Sequence, residues 1–181
     1  MLTILSQKSS PDYARAIQAH SHRVEAVLKH AFLWRLYSEL WRRQPNTKVL
    51  VFESEIDDSG FDVVVSVETY TRHIQLKSSM IGSSTKSAPL HQSLCRLPGG
   101  CVVWMEYLQS TLEVQKYHVF AFSNPSEPLD FSNFPVAKTT RANSQGVKKV
   151  RPGCHRVPRT AFHQNLSFDL ILKLLFNIPL A

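Results

Sequence analysis

The chain has 181 residues, 43% of them apolar, which suits a single domain (residues 1–181) with one substantial core. Its net charge of +7 is uneven: between Phe131 and Phe168 there is no Asp or Glu, but seven Lys and Arg. No apolar leader precedes "PDYAR", the apolar "LILKLLFNIPLA" is too short to cross a bilayer, and three cysteines lack metal-type spacing, which together predict a reduced, cytoplasmic protein without membrane contact.

Ser10-Pro11-Asp12 reads as a helix start, with a capping hydroxyl, a proline in the first turn and an acid near the positive end of the dipole. Helical periodicity continues to about Arg43, with a break expected at "HSH" (His20 to His22) and an end at Pro45-Asn46. Trp34, Tyr37 and Trp41 recur at helical spacing and read as core rather than as base-stacking residues. "KVLVFESE", "FDVVVSV" and "RHIQLKSS" read as three strands of a meander, with turns at "DDSG" and "ETYT". A loop with at most a short helix from Leu90 to Arg96 leads to two further strands, "CVVWMEYL" and "VQKYHVFAF".

The segment 131–166 contains Pro135, Pro152 and Pro158 without regular periodicity and reads as loop. Ser167 then caps a helix at about 167–177, apolar on nearly every face and so buried in the core or in a subunit interface. The order predicts an α/β fold with a mixed sheet flanked by helices.

Within the meander, Asp62, Gln75 and Lys77 interrupt apolar strands. Alternation puts Gln75 and Lys77 on one face of their strand. A turn centred between Thr69 and Tyr70 would set Asp62 opposite Lys77, so that all three converge. Similar logic at "IDDSG" would set Glu55 opposite Asp62 and Glu53 opposite Val64, although a slip of one residue turns both glutamates away.

"GFDVV" followed by "IQLK" resembles the signature of the PD-(D/E)XK, or restriction-endonuclease-like, nucleases over roughly residues 22 to 122. Gln75 departs from the family's second acid and is similar to the Q-x-K variant of Mrr-type enzymes. The resemblance implies a restriction-endonuclease-like mixed sheet and a Mg²⁺-dependent DNA endonuclease in defence, restriction or repair, with RNA as an alternative substrate and Mn²⁺ as a substitute ion. The final apolar helix hints at a homodimer, and cutting both strands would favour one. Asp62 would be the principal metal ligand, with the Gln75 oxygen and the Leu76 carbonyl beside it, and either Glu55 or Glu53 restoring the missing charge. Lys77 would position the attacking water and offset developing charge.

The family also draws a glutamate from its first helix, and the chain offers Glu25 and Glu39, about 21 Å apart along the axis. A helix antiparallel to the first strand would bring Glu25 to the level of Glu55 and leave Glu39 as a solvated or capping residue. The basic residues Lys138, Arg141, Lys148, Lys149, Arg151, Arg156 and Arg159 carry the whole charge excess, as a surface for DNA phosphates or as a solvated loop. The competing function is a nuclease-like fold without catalysis that binds nucleic acid or another protein.

Overall fold

The computed structural model describes residues 11–53, 60–139 and 144–180. The N-terminal helical stretch is two helices, α1 (Pro11–Ala19) and α2 (Ser21–Arg43). His20 separates them at φ −123°, ψ 38°, outside the helical basin. α2 buries Val24, Leu28, Phe32, Leu36 and Leu40, a stripe with the three-to-four spacing of an amphipathic helix. Trp34 lies two residues from both Phe32 and Leu36, about 200° around the axis. Trp34, Tyr37 and Trp41 therefore face away from the core, at 66%, 46% and 71% exposure, and the expectation of core packing is not met.

The strands are β1 (Val49–Glu53), β2 (Val63–Val67), β3 (Tyr70–Met80), β4 (Ser87–His91), β5 (Gly100–Tyr107), β6 (Val114–Phe120), β7 (Val136–Lys138), β8 (Val150–Pro158) and β9 (His163–Leu166). Six form a mixed sheet in the order β1-β2-β3-β5-β6-β9, in which only β3 and β5 run parallel. The others form an antiparallel sheet, β4-β8-β7. The fold is thus mixed α/β, as the element order predicts.

Two segments expected as loops contain strands. In the connector, β4 precedes a 3₁₀ turn at Gln92–Arg96, where the short helix was expected. In the basic segment, β8 carries Pro152, which lacks an N–H for a ladder, but it sits in an irregularity: three residues of β7 span six of β8 between Val136↔His155 and Lys138↔Val150. Gly153 follows at φ +81°, so the proline and glycine that read as loop instead form a bulge.

The β2–β3 hairpin pairs Val67 with Tyr70, so its turn is Glu68-Thr69, one residue earlier than expected. Glu68 takes φ 51°, and its N–H and carboxylate both bond the backbone of Lys48, which holds the turn. The β1–β2 register sets Glu53 opposite Val63 rather than Val64.

One face of the main sheet, with Val63, Val65, Ile74, Cys101 and Val103, packs against α2 and α3 (Phe168–Phe176). α3 buries Phe168, Ile171, Leu172, Leu175 and Phe176 inside the chain itself, so it is core rather than interface. Ser167 caps it, its Oγ accepting from Leu170 N. At its other end the buried Arg72 donates to Leu174 O and Leu175 O, and to Phe122 O and Ser123 O beyond β6. The opposite face, with Val102 and Trp104, packs against Ala88 and Leu90 of β4, Val157 of β8, and the aromatic residues Phe131 and Phe162.

Candidate active site

Alternation along β3 places Ile74 and Leu76 toward the helices, and Gln75 and Lys77 on the other face, where they neighbour Val102 and Trp104 of β5. The β2–β3 ladder stops at Val63↔Ile74. Beyond it the Asp62 N–H donates to Ile74 O (2.9 Å), and the Leu76 N–H donates to the Asp62 carboxylate (2.6 Å). A side chain thus takes the place of a strand partner. Asp62 lies along the β3 edge at the level of Ile74 to Leu76 rather than opposite Lys77.

The neighbouring turn is tightly built. Gly60 has φ +78°, and a Cβ there would run into Ser93 Oγ of the 3₁₀ turn and lie 3.4 Å from Leu94 N. The connector therefore fixes the approach to Asp62 from the second-sheet side.

Gln75 is 9% exposed, and its Oε1 is buried with no hydrogen-bond donor among the described residues. Lys77 is half-buried and, among the described residues, has no ion-pair partner. Second-sheet residues cover this face over β5, whereas over β1 it is bare, with Leu50 and Phe52 exposed. Gln75 and Lys77 stand on β3, between the covered and the bare halves.

Glu53 does not join this group. The one-residue slip puts it on the helix side, where its carboxylate pairs with Lys29 and its pKa is lowered, chiefly by that bond. Glu55 and Arg141 lie outside the described residues.

The Lys29–Glu53 pair also fixes the level of α2 against the sheet. Glu25 lies one turn beyond Lys29, seven residues before Phe32 and so on nearly the same side of the helix. Its side chain is 68% exposed, and its carboxylate lies 3.7 Å from His22 Nδ1. Glu39, expected as a solvated or capping residue, is 7% exposed and ion-paired to Arg35, Arg42 and Arg43 of its own helix.

The polar face continues past Lys77 into residues the sequence reading missed. Ser79 accepts a hydrogen bond from Trp104 Nε1 (2.9 Å). Next to it in register is Glu106, 6% exposed, bound to Arg159 and near Lys116 and His118. His118 Nδ1 accepts from the Asn165 N–H, its buried Nε2 lies 3.7 Å from the Glu106 carboxylate without a hydrogen bond among the described residues, and burial lowers its pKa. The signal was available: Glu106 and His118 each interrupt an apolar strand on the same alternation as Trp104.

Among the basic residues, Lys138, Lys148, Lys149, Arg151 and Arg156 are exposed on or beside β7 and β8. Arg156 also donates to Ser87 Oγ. Arg159 does not belong with this exposed set, because Glu106 engages its guanidinium. A separate cavity of about 610 Å³, lined in part by Tyr70, His163, Lys173 and Asn177, shares no residue with the Asp62 group.

Among the described residues, no helix is long and apolar enough to cross a membrane. No protein-family model and no curated protein matches the chain. One solved structure with a partial match is described as a bacterial homing endonuclease, I-Ssp6803I, at 19% identity and a TM-score of 0.30. The match covers 53% of this chain and 61% of that one, less than two thirds of the neighbour's length. Similarity at that level transfers neither fold nor activity.

Proposed function

We propose that the chain is a metal-dependent nuclease of the PD-(D/E)XK type, acting on DNA through Asp62, Gln75 and Lys77. The observation that carries this reading is the orphaned Gln75 oxygen. A buried acceptor without a donor costs roughly 1–3 kcal/mol, and this one lies one residue from the N–H that holds the Asp62 carboxylate. A hard cation would give the Gln75 oxygen the partner it lacks and takes carboxylate oxygens such as those of Asp62 as ligands.

Mg²⁺ fits such a site better than an ion needing a full protein cage. Among the described residues no three His, Cys, Asp or Glu side chains converge. Mg²⁺ keeps several waters and commonly uses one or two carboxylates together with substrate phosphate oxygens. Asp62 and Gln75 would hold it, with the Leu76 carbonyl, and Mn²⁺ would substitute. When bound, it would supply a Lewis acid for the phosphoryl oxygens and an acidified water.

Lys77 would hold the attacking water and offset the charge that gathers on the phosphoryl oxygens, since among the described residues no carboxylate pairs with its ammonium. Glu25 stands on the helix-covered side of the sheet, opposite Gln75 and Lys77, and would act through water only around the sheet edge where Asp62 lies. Lys138, Lys148, Lys149, Arg151 and Arg156 would contact backbone phosphates, which fix position rather than sequence.

The test is incubation of the protein with duplex, single-stranded and branched DNA, and with RNA, in Mg²⁺ or Mn²⁺. Cleavage should depend on the metal and disappear in Lys77→Ala while binding stays nearly intact, because the lost interaction acts in the transition state. The neutral Gln75, where the family pattern has an acid, supports a second reading, a nuclease-like module that binds nucleic acid or protein without cutting it. Wild type that binds DNA but cuts no substrate with either metal would establish that alternative.

A further inference from the structure

We infer that the outer face of α2 is a self-association surface that joins two copies of this chain, antiparallel, about a two-fold axis. Val27, Trp34 and Trp41 are spaced by seven residues, with Tyr37 three beyond Trp34. This is the a/d pattern of a helix that packs along its length on another helix. All four are exposed, at 43%, 66%, 71% and 46%, on the side of α2 opposite its buried stripe.

A monomer gains nothing from holding two tryptophans in water, and Trp, Tyr and Arg are the residue types that concentrate binding energy at interfaces. At roughly 200–250 Å² per large aromatic side chain, the three aromatics leave about 400 Å² open per copy. Two copies would bury about 800 Å² from these rings alone, against about 1,200–2,000 Å² for a stable interface. Val27, His30 and the flanking arginines supply area toward the remainder.

Charge selects a second copy over a polyanion and sets the orientation. Arg35 and Arg42 flank the stripe, but each is bonded to Glu39 at 2.8 Å, so this face is not a row of free cations. A parallel pair would stack each exposed Arg23 on its counterpart. An antiparallel pair centred on Trp34 brings Val27 to Trp41 of the other copy and separates the two Arg23 side chains. α2 covers the sheet face opposite Gln75 and Lys77, so the two sites would face outward. On the nuclease reading, each copy would then address its own stretch of DNA.

The test is light scattering on the full chain at micromolar concentration. Wild type should have twice the 20.6 kDa chain mass, and the double variant Trp34→Ala, Trp41→Ala should be a monomer. Tryptophan emission gives a second reading that needs no variant. Trp104 is 1% exposed in the monomer and stays buried, so a red shift on dilution reports Trp34 and Trp41 leaving the interface. A monomeric wild type with no dilution shift overturns the inference, as does a double variant that remains dimeric. Quenching of a monomer's emission by single-stranded oligonucleotide would also overturn it and assign the stripe to base stacking.

Discussion

Replacing Gln75 by glutamate would put an anionic oxygen where a neutral amide oxygen now lacks a donor. Attraction to a divalent cation rises with that charge, so Gln75→Glu should lower the Mg²⁺ concentration for half-maximal cleavage and retain some activity. A metal titration of cleavage rate checks this, and an unchanged or raised midpoint would remove Gln75 from the ligand set. His118 makes a different prediction. Burial lowers its pKa, against the pull of Glu106. An unfolded histidine titrates near 6.5 (about 6.5 in model peptides), so below that pH the unfolded chain takes up a proton that the folded chain refuses. Its contribution to stability is therefore complete above about pH 6.5 and lost as pH falls toward the folded pKa. The urea midpoint should drop between about pH 7 and about pH 5, and drop less in His118→Gln. Superimposable profiles for the two proteins would sink this account.

At the scale of elements, Arg72 ties β3 to the end of α3 and to the exit of β6 through four carbonyls. Arg72→Met would keep much of the buried volume and leave those carbonyls without their charged donor. The expected cost is about 3 kcal/mol in urea unfolding, as for breaking a buried charged network. A loss under about 1 kcal/mol would mean that water replaces the guanidinium at low cost. The same scale explains the β1 register. The loop ahead of β2 has a length that sequence leaves ambiguous by one residue, and a slip of one sends Glu53 to the helix side, where Lys29 meets it.

The whole molecule carries its charge excess on the second sheet and its approach, with Lys148, Lys149 and Arg151 exposed there. If these three contact phosphates, their joint replacement by alanine should weaken DNA binding for all sequences alike. It should also reduce the slope of log affinity against log salt by up to about 2.7, at about 0.9 per phosphate neutralised. Binding measured at several salt concentrations checks this. An unchanged slope would leave the segment as a solvated surface.

Sequence by itself determined the fold class, the order of the central elements and the facing of Gln75 and Lys77, because these rest on local periodicity along one helix or strand. It also determined that α3 is apolar, but not whether it packs within one chain or between two. Tertiary structure decided the rest. Asp62 reaches the β3 edge because β2 leaves the ladder after Val63, a break that no spacing encodes. Strands β7, β8 and β9 exist because distant segments pair, β4 and β7 with β8 and β6 with β9, which overrides the local reading of Pro152 and Gly153 as loop. The aromatic stripe on α2 turned outward because a single helix offers two apolar sides, and only the docking of Phe32 and Leu36 on the sheet selects which is buried.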